Sequence, residues 1–461
     1  VLARLRHGPG RSEAGAGVEV SVIKLFSEES FMNVSRRDFV KCAGVAAGAA
    51  AAFPTIIPAS VLGQDAPSKV LTVACVGVGG MGLSHIKQLV DRKTVRIVAV
   101  VDVDAFHQKR AAQIINKKYG NEDCRMIGDF REVTRSKDVD LITVATPDHW
   151  HAIPAIDAIR NGKDVFVEKP LTLTVREGQV LVEELRKHKR VGQTGTMQRS
   201  FEGFHRAAEL IRNGRLGTIK HIDVLIPANN RYVGATWKPE PVPAGLDYDF
   251  WLGPAPYAPY TSQRTHYQFR FNLDYAGGQT TNWGAHYLDI AQWALGMDES
   301  GPVEVDGHGV YPSSGLFTSP TRVDVRYTYA NGVTMRMRTR TDGISDGNII
   351  FFGDKGSLDV SRSKLKSNPE SILKEKIDDD EIGLYKSRDH FGNWIECVKT
   401  RERPVSDLAI GHKTNNLCNI GNIVMQLQRK LKWDPVKERF DGDDMANRLL
   451  TRAMRGPWSL A

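Results

Sequence analysis

The run Gly77-Val78-Gly79-Gly80-Met81-Gly82 has the spacing G-x-G-x-x-G. Glycines at those positions permit a tight turn and bring backbone N–H groups close to a pyrophosphate at a helix N-terminus. Gly77, Gly79, Gly80, Met81 and Gly82 are therefore candidate cofactor-binding residues. Twenty residues after Gly82, Asp102 ends a second apolar run. A carboxylate there accepts both hydroxyls of an adenosine ribose and repels a 2′-phosphate, so the expected cofactor is NAD rather than NADP. Arg110 lies a helical segment further on, a poor position for a phosphate clamp. A glycine turn beside a helix-capping Asp would carry the same letters; the flanking strand and helix favour the nucleotide.

Those residues need a particular scaffold. Val70-Leu71-Thr72-Val73-Ala74-Cys75-Val76 is a near-continuous β-prone run, as in a strand buried on both faces. Helix-like residues 82–91, a second buried run at 95–101, a helix over about 104–119, the run 141–145, another helix and the run 164–167 follow. The alternation predicts an N-terminal Rossmann domain over 65–195, a doubly wound parallel sheet. After residue 215 the texture changes. Ile219–Ile226, 303–310, 323–329, 333–338 and 349–352 read as alternating strands, with Asn331-Gly332 and Asp354-Lys355-Gly356 as hairpin turns. The fold expected is α/β, with a C-terminal α+β domain over 196–388 built on a large, mainly antiparallel sheet. Residues 389–461 return to helices that pack back on the body. A Pro- and aromatic-rich loop at 227–275 carries Tyr232, Trp237, Trp251, Tyr257, Tyr260 and Tyr267, and loops of that length are usually functional.

Composition agrees. A chain of 461 residues, 41% hydrophobic and 25% charged, has material for two or three domains with real cores. Its 42 Gly and 21 Pro are too few for collagen or disorder. No apolar run approaches the roughly 18 residues of a membrane helix. The formal net charge is +8, but the basic residues are interleaved with acids, as in 182–190, so a nucleic-acid partner is not expected. Cys42, Cys75, Cys124, Cys397 and Cys418 show no metal-ligand spacing and read as packing residues or free thiols, and no metal is expected.

Upstream, Ser35-Arg36-Arg37-Asp38-Phe39-Val40-Lys41 precedes twelve small, apolar residues ending at Phe53. That stretch suits a signal segment and is too short to span a bilayer. Residues 1–64 thus resemble an N-terminal extension plus a twin-arginine export signal, S-R-R-x-F-L-K, with Val40 where Leu is usual. Met32, just ahead of the arginines, is the expected translation start. The resemblance implies a periplasmic protein exported already folded.

Two further stretches match a known family. Ala145-Thr146-Pro147-Asp148-His149-Trp150-His151 follows the 141–145 run, and Val167-Glu168-Lys169-Pro170 ends the 164–167 run. A third is Gly277-Gly278-Gln279-Thr280-Thr281-Asn282-Trp283-Gly284-Ala285-His286-Tyr287-Leu288-Asp289. With the glycine motif, over about 69–435, they resemble the glucose–fructose oxidoreductase / inositol dehydrogenase (Gfo/Idh/MocA) family. The resemblance implies cofactor contacts from Thr146, Pro147, His151, Glu168, Lys169 and Gln198. It makes Lys169 the bridge between cofactor and substrate hydroxyl, and His286 the acid/base at the carbon losing hydride. An ammonium beside a nicotinamide can stabilise a developing alkoxide. Lys169-Pro170 is expected to be cis.

The chain departs from the family pattern at Asn282, where Asp is common, and at Gln279, which replaces a glycine and reads as minor. Four residues apart, Asn282 and His286 would share one helix face, and a carboxylate at 282 would raise the imidazole pKa. Asn cannot take a proton. Either His286 acts with Lys169 alone, or the reaction is not a plain alcohol oxidation.

Lys169, His286 and Asn282 are thus the catalytic candidates, and Lys169, Arg270, Asn282 and His286 the substrate-binding ones, with loop aromatics and Asn272 against a sugar. The leading expectation is an NAD-dependent oxidoreductase acting on a secondary hydroxyl of a sugar, polyol or glycoside. The second is a glycosidase that oxidises, eliminates, hydrates and re-reduces with bound NAD, and a third is a non-catalytic dinucleotide-binding protein. A homo-oligomer formed through the antiparallel sheet is expected. Replacing Arg36 and Arg37 together by Lys should leave the protein in the cytoplasm; cell fractionation would check this, and unchanged export would refute the signal.

Overall fold

The computed structural model describes residues 70–228 and 234–461. The segment read as an export signal, with Met32, Arg36, Arg37 and Cys42, lies outside the described residues, as does Tyr232.

Six strands, β1 (Leu71–Val76), β2 (Val95–Val101), β3 (Arg125–Ile127), β4 (Leu141–Val144), β5 (Asp164–Val167) and β6 (Gly192–Thr194), form one sheet in the order β3-β2-β1-β4-β5-β6. Every pairing is parallel. β4 and β5 are buried at every position, as their apolar runs require. Helices α1 (Gly80–Leu89), α2 (Ala105–Tyr119), α3 (Ala152–Arg160) and α4 (Val175–Lys187) are interspersed between the strands. α4 starts at a reciprocal cap: Thr174 accepts from the Glu177 N–H while Glu177 accepts from the Thr174 N–H. β5 runs into Glu168-Lys169-Pro170, and the Lys169–Pro170 bond is cis.

The second sheet has nine strands: β7 (Ile219–Ile226), β8 (Glu304–Val310), β9 (Arg322–Thr328), β10 (Thr334–Thr339), β11 (Asn348–Gly353), β12 (Ser357–Val360), β13 (Leu365–Asn368), β14 (Leu431–Asp434) and β15 (Arg439–Phe440). Their order is β13-β12-β11-β7-β10-β9-β8-β14-β15. Only the β7–β10 pair is parallel; the rest are antiparallel. Burial alternates along β7 and β9, so one face of the sheet is covered. The cover is α5 (Glu202–Arg212), α7 (Gly284–Leu295), which follows the short α6 (Gly278–Asn282), and α9 (Leu408–Leu427), whose apolar residues join one core with the sheet. α8 (His390–Thr400) joins the Rossmann core instead, where Phe391 stacks on Phe166 at 4.3 Å. The last seventy residues therefore serve both sheets, and Gly63–Ala461 is one unit.

A buried ion cluster fixes α7. Arg199, just after β6 and 1% exposed, donates to Asp289 on α7 at 2.8 and 2.9 Å and to Asp298 at 2.9 and 2.7 Å. Asp289 also accepts from Thr414 Oγ1 of α9 at 2.9 Å. Removing one partner of such a pair leaves an uncompensated charge in the interior. Arg199→Ala should therefore cost about 3–5 kcal/mol in denaturant unfolding, against less than about 1 kcal/mol for Arg336→Ala, whose ion pair with Asp324 is part-exposed. Equal losses in the two variants would contradict the assignment.

Candidate active site

β1 leads into Gly77, whose φ of +78° suits glycine and whose missing Cβ leaves room for Thr146 N only 2.6 Å from where it would lie. A Cβ on Gly82 would sit 1.9 Å from Gly77 O, so Gly82 serves the packing of α1 on β1 and does not line the cleft. Gly80 faces open space. α1 begins with no side-chain cap and no acid in its first turn, so its first N–H groups are left for an anion. Asp102 follows β2. Its carboxylate accepts from Val78 N at 2.8 Å and Asp104 N at 3.1 Å, which holds it at the rim. An open glycine cradle, an uncapped helix start and a fixed rim acid fit a dinucleotide.

A cleft of about 510 Å³ runs from Gly79, Gly80, Met81 and Asp102 past Thr146 and Pro147 to Lys169, Asn282 and Arg270. At the Asp102 end, His107 Nδ1 lies 3.5 Å from the carboxylate, which raises the His107 pKa. Arg110, set aside on sequence spacing, also lines this end, with its guanidinium 5.6 Å from the Phe106 ring. Chain from the 227–275 loop reaches the same rim: Asp104 and Leu246 form a β-bridge, and Ala105 N donates to Gly245 O at 2.9 Å. His266 joins it, 3.2 Å from Asp104. Asp104, His107 and His266 bring three potential metal-ligand atoms within 4.8 Å, a donor set suited to zinc that no sequence spacing announced.

At the far end, half-buried Lys169 donates from Nζ to both Asn282 O and Asn282 Oδ1 at 3.1 Å. Asn282 Nδ2 donates to Gln279 Oε1 at 3.1 Å, and Gln279 Nε2 to Pro227 O at 3.1 Å. The chain of bonds fixes the amide with its oxygen toward Lys169. Gln279, read as a minor departure, is what orients Asn282. The expectation that Asn282 faces His286 is corrected: α6 ends at Asn282 and α7 begins at Gly284, so no continuous helix carries both, and the Asn282 side chain is spent on Lys169 and Gln279.

Other assignments change likewise. Gln198 is buried, donates to His286 O at 3.2 Å and accepts from Arg362 Nε at 3.1 Å, so it braces the site without lining the cleft. His151 and Glu168 line the cleft, yet their polar atoms are engaged. The His151 ring spans Pro170 O at 2.7 Å and Thr146 O at 2.9 Å. Glu168 meets His85 of α1 at 3.0 Å, a partner the sequence did not reveal. Trp251 and Tyr260 sit in the loop's own core, and Asn272 is buried holding turns at Leu316 and Asp274, so none of the three is free to grip a sugar. Tyr267 is exposed, with Arg270 stacked 3.8 Å from its ring centroid.

Burial and neighbouring charges shift the titration of the groups at this end. Burial, the largest influence, lowers the Lys169 pKa; Arg270 and Arg362 push the same way, while Glu168 and Asp148 oppose them. Burial, then Lys169 and Arg362, holds the His286 imidazole well below the usual histidine range, and its Nδ1 has no protein partner. Asp148, buried among Lys169, Arg270 and His151, has its pKa raised by burial. A lysine made less basic by burial beside a cofactor cleft is better able to exchange a proton with a hydroxyl. A carboxylate at 282 would meet this amine before the imidazole. Asn282→Asp should therefore raise the Lys169 pKa, seen as an upward displacement in the pH dependence of Lys169 acetylation by mass spectrometry. Identical pH curves in the two proteins would refute the contact.

Residues 71–196 match the NAD-binding Rossmann fold of an oxidoreductase family, and residues 228–460 match that family's C-terminal alpha/beta domain. The alpha-N-acetylgalactosaminidase of Shewanella oneidensis is 35% identical over 162 residues, 32% of this chain. The match spans only 35% of that relative's length. The WlbA dehydrogenase from Bordetella pertussis, solved with NADH and UDP-GlcNAcA, superposes with a TM-score of 0.59 at 16% identity, covering 79% of this chain and 99% of that one. The aldose-aldose oxidoreductase from Caulobacter crescentus, complexed with glycerol, gives 0.59 at 18% identity, over 79% of this chain and 99% of that one. The sheet order, the glycine cradle and the two matched domains together place the chain in the Gfo/Idh/MocA oxidoreductase family, with an NAD-binding Rossmann domain.

Proposed function

We propose that the protein is an NAD-dependent oxidoreductase that acts on a secondary hydroxyl of a sugar, polyol or glycoside and keeps its cofactor tightly bound. The observation that carries the reading is Lys169, two residues past β5, where the dinucleotide cleft meets Asn282. Bound NAD would supply the hydride acceptor. Val78 to Met81 and Asp102 would hold it, and Thr146 and Pro147 would flank it. A hydroxyl placed at Lys169 loses its proton to Nζ. The resulting ammonium is held by Asn282 O and Oδ1, a stronger interaction than the neutral amine makes. His286, neutral and with a free ring nitrogen, orients a neighbouring hydroxyl without adding charge. The sugar-handling relatives support a carbohydrate substrate.

A redox-cycling glycosidase is the second reading, favoured by the Shewanella oneidensis relative and by a neutral side chain at 282. A glycoside panel followed for NADH and for released aglycone separates the two, since the cycle leaves no net NADH.

The twin-arginine-like segment supports export to the periplasm, where free NAD is scarce and a lost cofactor would not be replaced. The sheet face opposite the helices carries His221, Asp223, Arg336 and Arg338, a surface through which copies would associate as a homo-oligomer. Among the described residues no helix is long and apolar enough to cross a membrane.

Lys169→Ala should lower turnover by at least about 10² while leaving the melting temperature and bound nucleotide in place. NAD should co-purify with the protein, identified by mass spectrometry of the heat-released ligand. Near-normal turnover in the variant would remove Lys169 from the chemistry, and a protein that purifies empty and needs millimolar added NAD would end the retained-cofactor reading.

A further inference from the structure

We propose that Asp104, His107 and His266 bind a divalent transition-metal ion, zinc by preference, at the Asp102 end of the cleft. The ion braces the 227–275 loop against the Rossmann domain and slows release of the dinucleotide. The brace rests on the retained-cofactor reading above; the metal site does not.

The three donors come from two distant parts of the chain. Asp104 caps the N-terminus of α2, His107 lies in the first turn, and His266 reaches them from the loop. Asp104 divides its carboxylate between two tasks. Oδ1 accepts from Phe106 N at 2.8 Å and His107 N at 3.4 Å, which fixes the group, and Oδ2 lies 3.2 Å from His266 Nε2. The two imidazole rings have their centroids 4.6 Å apart. One donor atom from each residue lies within 4.8 Å of the other two, which puts all three within about 2.8 Å of a common centre. Zinc holds imidazole nitrogen and carboxylate oxygen at about 2.0–2.2 Å, so a contraction of less than about 1 Å per donor completes the triad. His266 is exposed and free to supply part of that movement.

Other histidine–carboxylate contacts in the chain join one ring to one acid, as His85 with Glu168 and His412 with Glu438. Here two imidazoles meet at one carboxylate, and among the described residues no other three such donors converge. Two imidazoles and a carboxylate are the ligand types of zinc sites that keep a fourth position open, whereas magnesium and calcium take oxygen ligands. Asp102 stands behind the site. Its carboxylate lies 3.5 Å from His107 Nδ1, the place of an acid that orients a ring whose other nitrogen is the ligand. With Asp104 it sets two carboxylates against one nearby guanidinium, that of Arg110, which lies 5.6 Å from the Phe106 ring centroid.

The position gives the ion a task. His107 and His266 line the cleft and Asp104 does not, so the ion belongs at the rim and leaves the cleft to the dinucleotide. The loop already meets this rim through its main chain: Ala105 N donates to Gly245 O and Asp247 N to Val103 O, both at 2.9 Å. His266, further along the same loop, is a second point of attachment. A metal bond there pins the loop at two points on the rim that an adenosine must pass on leaving.

The test uses the full NAD-loaded chain, purified without a polyhistidine tag, stripped with a chelator and dialysed against zinc. Elemental analysis should find about one zinc per chain, and excess magnesium or calcium should not displace it. His107→Ala and His266→Ala should each weaken zinc binding by at least about tenfold, since losing even a residue that only supports a ligand costs that much. The exposed His266 can be replaced with the melting temperature of the metal-free protein retained. NAD should leave the zinc-loaded protein severalfold more slowly than the chelated one, and His266→Ala should abolish that difference. No zinc above background, or full affinity for zinc in either variant, would overturn the site. Zinc bound through these residues with NAD release unchanged would overturn the brace and leave cofactor retention standing. A chain that purifies without NAD ends the retained-cofactor reading, and the same zinc titration on that protein still decides the site.

Discussion

Lys169 lies two residues past β5, and the two oxygens that its Nζ reaches belong to the last residue of α6. That contact joins the turn after β5 to the end of α6 at one end of the cleft. Much of the surrounding structure makes it possible. Glu168 fastens the same turn to α1 through His85, and Asn282 is fastened through Gln279 to the end of β7. The lysine is buried enough to lose part of its basicity and is matched with a neutral acceptor, so it can give up a proton and take one back. A carboxylate in place of the amide would hold it charged.

The parallel sheet was legible because its central strands are buried on both faces, and the apolar runs of β1, β2, β4 and β5 record that burial directly. β3 and β6 left no such record. β3 is an edge strand of three residues with two exposed, and β6 is Gly-Gln-Thr, buried through hydrogen bonding rather than apolar content. In the second sheet the alternation marked β7 to β11, but β14 and β15 are too short for periodicity to show and belong to a stretch that otherwise reads as helix.

Within the site, residues named by local spacing and residues named by contact behave differently. Gly77, Gly80 and Asp102 are legible because a tight turn and a strand end constrain them locally. Gln279, His85 and Arg362 matter through partners 3, 83 and 164 residues away. Even the short one escaped notice, since a four-residue helical spacing drew Asn282 toward His286 when the chain breaks helix between them. The aromatic loop misled for a related reason. Its composition suits a sugar-binding surface, but Trp251, Tyr260 and Tyr275 are used to build a small core of their own, while Trp237, Tyr257 and Tyr267 stay exposed.

The Arg199 cluster has a consequence for how such a chain can vary. Arg199 and Asp289 share a space from which water is excluded, with Asp298 at its partly exposed edge, and they hold α7, which bears His286. Replacing Arg199 or Asp289 alone leaves the other an uncompensated buried charge. Substitutions at 199 and 289 are therefore costlier singly than together. Arg362, exposed and outside such a cluster, can be replaced without stranding a buried charge.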